Sequence, residues 1–143
     1  MRTLGPALAA AAVLTAPGLV PTSVDAATST YTATLSAAEE VPVAGPPGGA
    51  GAATITIDTA ASRLCYDVTW SREVGTPNAG HIHKGPSGTS GPIEVVLNLP
   101  AQPRACMQVP AVVLQDIVAD PGGHYVNVHS NAYPNGAVRG QLH

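Results

Sequence analysis

Short runs in which apolar and polar residues alternate recur along this chain, and glycine and proline residues separate them. Alternation with a period of two is typical of a half-buried β-strand, because successive side chains point to opposite faces of a sheet. The runs at residues 30–36, 52–59 and 62–70 show this pattern most clearly. The pattern predicts an all-β fold, a Greek-key sandwich or flattened barrel of about seven or eight short antiparallel strands.

Residues 110–120 depart from the alternation. Four of their apolar side chains recur at the spacing of one helix face, at Val112, Val113, Ile117 and Val118. A Pro-Gly-Gly sequence at 121–123 follows and is a typical helix stop. We therefore expect one short helix near residues 110–120.

The composition excludes several classes of function. Charged residues make up only 10% of the chain and its net charge is -3, so no basic surface is available for a nucleic acid. The glycines lie between strands rather than at strand-to-helix turns, and they therefore carry no nucleotide-binding signal.

The first 26 residues resemble a secretory signal peptide. One positive residue, Arg2, precedes an apolar run from 4 to about 13, and the small-x-small sequence at 24–26 fits a cleavage site. The run is too short and too broken by proline to span a membrane. We expect residues 27–143 to form a single domain that is secreted, either to the extracellular space or to the cell envelope.

Two cysteines, Cys65 and Cys106, are the only ones in the chain. An even count in an exported protein predicts a disulfide bond. The alternative is a metal site that combines cysteine and histidine, but neither cysteine has a histidine near it in sequence.

Two segments, GHIHK and HYVNVHS, alternate histidine or polar residues with aliphatic ones. If the aliphatic residues face the core, the imidazoles of His81, His83 and His129 all face away from it. The same alternation along the last strand places Arg139 on that outer face, because its neighbour Val138 faces the core. It also requires a long loop or a bulge in the final hairpin, because a two-residue turn at Asn135-Gly136 would reverse one strand.

Three imidazoles on one face of a sheet, without a nearby thiolate, suit copper or zinc. The affinity order favours copper, with zinc as the less favoured alternative, and three protein ligands leave one position open. His124, which follows two glycines, is predicted to be exposed and is the weaker candidate for a ligand. Solvated surface histidines are the alternative reading of the pattern, and a surface ion pair is the alternative for Arg139.

Three blocks resemble the chordin-domain family, usually written CHRD: YTATLSAAEEVP, AGHIHKGPSGTSGPIEVVL and YVNVHSNAYPNGAVRGQL. The resemblance covers about residues 31–142. The family includes exported bacterial proteins and repeats of the animal protein chordin, so membership implies an extracellular protein-interaction module without catalytic activity.

A more distant resemblance concerns Cu/Zn superoxide dismutases. GHIHKG is similar to their H-V-H strand, YVNVHS to a later V-V-H strand, and NGAVRGQL to the segment that carries their active-site arginine. It implies a superoxide-dismutase-like sandwich, with an immunoglobulin-like one as the alternative. It also makes His81, His83 and His129 copper ligands and Arg139 the residue that guides anions. Residues 84–96 contain no histidine, so the bridging ligand and a zinc site are not implied.

Two hypotheses follow from the sequence. The first is an exported copper protein with a mononuclear three-histidine site. Its copper would either cycle between Cu(I) and Cu(II) with superoxide or a related small anionic oxidant, or be stored or sequestered. The second is a non-catalytic extracellular interaction module, whose protein partner the sequence does not identify.

Overall fold

The structure is a computed structural model that describes residues 28–143, so the predicted signal peptide lies outside the described part. Within that part it contains eight β-strands and one α-helix. The elements are β1 (Thr28–Ser36), β2 (Ala50–Asp58), β3 (Arg63–Trp70), β4 (Pro77–Lys84), β5 (Ile93–Leu97), β6 (Arg104–Gln108), α1 (Ala111–Ala119), β7 (His124–Ser130) and β8 (Tyr133–Gln141).

The strands form one curled sheet in the order β5-β4-β7-β8-β1-β2-β3-β6. All of its pairings are antiparallel. The two halves of the sheet meet where β1 and β8 pair at Ser36 and Arg139. Mutual backbone hydrogen bonds between Thr32 and His143 extend this junction. The prediction of an all-β sandwich or flattened barrel is confirmed.

The core lies inside the curl and consists of aliphatic side chains at alternate strand positions. The half that contains β2 and β3 contributes Ile55, Ile57, Leu64 and Val68, all at most 1% exposed. The half that contains β4, β7 and β8 contributes Ile82, Val126, Val128 and Val138, all 0% exposed. The predicted parity of these strands is therefore confirmed.

Helix α1 confirms the single predicted helix and closes one end of the core. It buries Leu114 and Ile117, whereas Val112 is 72% exposed. The predicted helix face was therefore partly wrong, because the helix is rotated so that the i and i+3 pair at 114 and 117 meets the sheet. No helix among residues 28–143 is long and apolar enough to cross a membrane.

The hairpin between β7 and β8 confirms the predicted bulge. Val128 pairs with Val138, whereas Ser130 pairs with Tyr133, and the register shifts between Val128 and Ser130. Between these two pairs, residues 134–137 of β8 lie opposite the single residue His129 of β7, so the extra residues are on β8. A short turn at 131–132 is therefore compatible with inward-facing valines on both strands.

A disulfide bond joins Cys65 and Cys106. The two residues are direct partners in the pairing of β3 with β6. The predicted disulfide is thus present, and it ties the short strand β6 to the sheet.

Candidate metal centre

The three histidines predicted to share a face lie close together in the structure. One ligand nitrogen from each of His81, His83 and His129 lies within 4.8 Å of the other two. The His81 ring centroid is 5.4 Å from that of His83 and 4.9 Å from that of His129. Nδ1 of His81 is 3.1 Å from Nε2 of His129. The geometry is therefore compatible with one ion held by three imidazoles.

Strand parity and the pairing of β4 with β7 bring the triad together. His81 and His83 flank the fully buried Ile82, so both rings emerge on the face opposite to the core. His129 pairs with Ala79, two residues before His81 on β4. Such diagonal neighbours on adjacent strands are within reach of long side chains, and this places the third ring beside the first.

Backbone carbonyls orient two of the rings. Nδ1 of His129 donates to the carbonyl oxygen of Pro134 at 2.9 Å, and Nδ1 of His83 donates to that of Gly91 at 2.8 Å. A neutral imidazole that donates through Nδ1 carries its lone pair on Nε2. A backbone carbonyl behind the ring is a common support for a metal-binding histidine. In both residues, Nε2 is therefore the nitrogen that faces the triad as a potential ligand.

Asn127 borders the triad and has no role in the sequence predictions beyond its place on the outer face. Its side chain is 4% exposed, and its Oδ1 lies 3.1 Å from Nε2 of His83. Asn127 pairs with His81 across β7 and β4, which explains this proximity. A neutral His83 that donates through Nδ1 cannot also donate through Nε2, so this contact is a hydrogen bond only when the amide presents its NH2 group to Nε2, and a metal ion bound there would replace it.

Burial keeps the accessible rings of the triad in their neutral form. The pKa of His81 falls to about 4, because the ring is partly desolvated and because His129 and His83 would repel a second charge. Desolvation also lowers the pKa of His129, against the opposing hydrogen bond to Pro134. Neutral imidazoles are the form that binds metal, so neither ring needs to lose a proton at neutral pH.

Arg139 lies near the triad but is 2% exposed. Its guanidinium donates to the carbonyl oxygens of Thr89 at 2.7 Å and Pro86 at 2.8 Å. The guanidinium carbon lies 3.4 Å from the centroid of the Tyr125 ring, and that ring stacks on His83 with centroids 4.8 Å apart. Arg139 is thus a buried residue that holds the loop at 85–92, rather than a surface residue available for an exposed ion pair.

His124 is not the exposed loop residue that the sequence predicted. It is the first residue of β7, is 0% exposed and lies outside the triad. The prediction was wrong because β7 begins directly after the two glycines, and its parity places position 124 in the row of Val126 and Val128. Its Nε2 lies 3.1 Å from a carboxylate oxygen of Glu94 and 3.5 Å from one of Asp116.

Sequence reasoning missed this second group, which consists of Glu94, Asp116 and His124. The even parity of position 124 relative to the valines was the only available signal for the burial of its histidine. The approach of the two carboxylates depends on contacts between elements distant in sequence, for which the chain contains no local pattern.

Comparison with known proteins places most of the chain in one family. The sequence model of the CHRD domain matches residues 31–142. No curated protein and no solved structure matches the chain.

Proposed function

We propose that this chain, which belongs to the CHRD domain family, is an exported module that binds copper through His81, His83 and His129. Membership of the family favours a non-catalytic extracellular module. The observation that carries the proposal is the convergence of three ligand nitrogens within 4.8 Å. CHRD domains are typically extracellular, and the secretory pattern at residues 1–26 supports export of this member.

The donor set supports copper above other metals. All three ligands are imidazole nitrogens, which suit Cu(II) and Zn(II), and the affinity order places copper ahead of zinc. The 3.1 Å between Nδ1 of His81 and Nε2 of His129 is close to the separation of about 3 Å expected for two nitrogens bound to one ion at about 2 Å. A carbonyl behind His83 and another behind His129 limit the rotation of these rings.

Storage or sequestration of copper is the form of the proposal that the surroundings favour. Bound copper supplies a redox centre, but reaction with superoxide also benefits from a free cationic group that attracts the anion. Arg139, which the sequence predicted for this role, has donors engaged by the carbonyls of Thr89 and Pro86 and is 2% exposed. These contacts weigh against anion guidance and favour a role in positioning the loop.

Calorimetric titration with Cu(II), followed by electron paramagnetic resonance, tests the binding site. We expect one equivalent to bind with nitrogen hyperfine splitting from three imidazoles, which distinguishes this site from any site with fewer imidazole ligands. His129→Ala should weaken binding by about 100-fold, since it removes one of three ligands. His143→Ala is the matched control, because its ring is exposed and lies outside the triad. Equal affinity of His129→Ala and the native protein would contradict the proposed site.

An assay of superoxide removal by the copper-loaded protein separates storage from turnover. We expect a rate below that of the same concentration of free Cu(II). A rate well above that of free copper, lost in Arg139→Lys, would refute storage and support a dismutase-like activity.

The family supports a second candidate function, an interaction module that uses no metal. Its test is the metal content of protein purified from an export host grown with added copper. Protein that contains no copper and does not take up Cu(II) in titration would favour this candidate.

A further inference from the structure

A second cluster of potential ligands lies on the face of β4 and β7 opposite to the histidine triad. We propose that Glu94, Asp116 and His124 form a binding site for a divalent transition metal such as Zn(II), separate from the triad. One nitrogen and two carboxylate oxygens from these residues lie within 4.8 Å of one another. The residues come from β5, α1 and β7, so the site forms only when the helix packs on the end of the sheet.

His124 is the anchor of this site. Its side chain is 1% exposed, and its Nδ1 donates to the carbonyl oxygen of Asp120 at 2.7 Å. That hydrogen bond leaves the lone pair of a neutral ring on Nε2, which faces the two carboxylates. A histidine held by a backbone carbonyl on one nitrogen, with carboxylate oxygens beside the other, is the arrangement of a metal ligand with its outer support.

Two buried atoms of the cluster have no hydrogen-bond partner. Nε2 of His124 and Oε2 of Glu94 lie 3.1 Å apart, yet neither makes a hydrogen bond. Buried polar atoms without a partner are rare in folded proteins and call for a specific explanation, such as an ion. In a neutral His124 whose proton is on Nδ1, Nε2 and the Glu94 oxygen are both acceptors, so neither can donate to the other and a bound cation would satisfy both.

The distances in the cluster agree with tetrahedral coordination. Ligands bound to zinc at about 2.0–2.1 Å lie about 3.3 Å apart when the site is tetrahedral. The Nε2 of His124 is 3.1 Å from Oε2 of Glu94 and 3.5 Å from Oδ2 of Asp116. The two distances lie on either side of the tetrahedral value of about 3.3 Å. One imidazole and two carboxylates neutralise a divalent cation, and they leave one position for water.

A register shift in the sheet turns Glu94 toward this position. Ile82 pairs with Val95 and His83 pairs with Ile93, so Glu94 is an extra residue without a direct partner. Such bulges redirect a side chain, and they are common next to functional sites. The side chain of Glu94 is 18% exposed as a result. A regular strand would alternate Glu94 away from the buried Val95.

Lys84 is the resident cation that a metal must displace. Its ammonium group binds Asp116, and its side chain is 51% exposed. A side chain exposed to this extent can move into solvent without loss of core packing. Removal of Lys84 should therefore strengthen metal binding, whereas an ordinary ion-pair cluster would gain no affinity for metal from that change.

Titration with zinc chloride, in a full-length His129→Ala background that disables the triad, tests the proposal. We expect one equivalent of Zn(II) to bind. Glu94→Gln combined with Asp116→Asn should weaken binding at least tenfold, and Lys84→Met should strengthen it about fivefold. Glu73→Gln, an exposed carboxylate outside both clusters, is the control. Circular dichroism verifies that each variant is folded.

Two results would overturn the second site. One is the absence of Zn(II) binding in the folded His129→Ala protein. The other is binding that the Glu94 and Asp116 changes leave intact. Neither result affects the copper proposal, which rests on different residues and on the loss of Cu(II) affinity in His129→Ala.

Discussion

The two faces of strands β4 and β7 differ in what they contain. The inner face presents Ile82, Val126 and Val128, each 0% exposed, to the core. The outer face presents three imidazoles and the buried amide of Asn127. The same two strands therefore supply part of the hydrophobic core and a polar cluster, and the two roles alternate residue by residue along the chain.

This difference predicts that folding stability and metal binding can be changed by separate substitutions, one on each face. Substitution of an inner residue should affect folding first, whereas substitution of an outer histidine should affect binding first. His124 is the exception, because it continues the inner row but has a polar ring. Variants of the two faces therefore test whether the separation holds.

Ile82→Ala should have the largest effect on stability. The side chain is 0% exposed, and its truncation leaves a cavity that costs about 2–5 kcal/mol of unfolding free energy. The measurement is urea unfolding by circular dichroism. His81→Gln, on the neighbouring outer position, is expected to change the value at pH 7 by less than about 1 kcal/mol. Equal destabilisation by both variants would break the comparison between the faces.

Glu40→Gln tests a buried carboxyl group that belongs to neither of the two ligand clusters. Glu40 is 5% exposed, and burial raises its pKa from 4.5 to about 7, against the opposing charge of Arg139. The native state thus binds this proton more tightly than the unfolded state, and stability falls as pH rises from about 4.5 to 7. The variant should be about 2–3 kcal/mol more stable at pH 8, with no gain at pH 4. A gain that is equal at both pH values would contradict this cause.

His81 gives the opposite pH dependence on the outer face. Its pKa is lowered from 6.5 to about 4, so the unfolded state binds the proton more tightly. Its contribution is present above about pH 6.5 and is lost as pH falls toward 4. For the metal-free protein, we expect the unfolding free energy to decrease by about 1 kcal/mol over this range, after allowance for solvent screening. His81→Gln should remove that part of the decrease, and an unchanged pH profile would refute the assignment.

Tyr125→Phe should have the smallest effect on folding. It removes the hydroxyl that accepts from the Gly91 N–H at 3.1 Å and retains the ring that stacks on His83. We expect a loss of about 1 kcal/mol or less, with a weakening of Cu(II) binding of a few-fold, because Gly91 also supports His83. Calorimetry measures both quantities, with Tyr133→Phe as the control. No change in Cu(II) affinity would show that the hydrogen bond between Gly91 and Tyr125 does not affect the metal ligands.

Much of the outer face could be predicted because it depends on local alternation. Ile82 between two histidines indicates which way both rings point, and the even parity of Val128 and Val138 requires the bulge in the hairpin. The disulfide followed from the count of cysteines and the predicted export. These inferences need only the period of two of a strand and simple counting, without knowledge of which strands are neighbours.

The second cluster could not be predicted because it depends on contacts between distant segments. The orientation of Glu94 depends on the register between β4 and β5, and the position of Asp116 depends on the rotation of α1 against the sheet. Parity correctly placed Arg139 outside the core, but it could not show that the loop at 85–92 folds over its guanidinium. Local patterns specify directions of side chains, whereas these features require tertiary packing.

The sheet has two outermost strands, β5 and β6, within residues 28–143. At β6, the disulfide holds the edge to its neighbour. At β5, Ile93 and Val96 are 52% and 60% exposed on a strand with a free side. A free strand of this kind is a template for intermolecular pairing, so aggregation of the folded protein should begin there. The bulge at Glu94 shortens the regular part of β5 that another chain could pair with. The same bulge that turns Glu94 toward His124 therefore also limits growth of fibril-like assemblies from this edge.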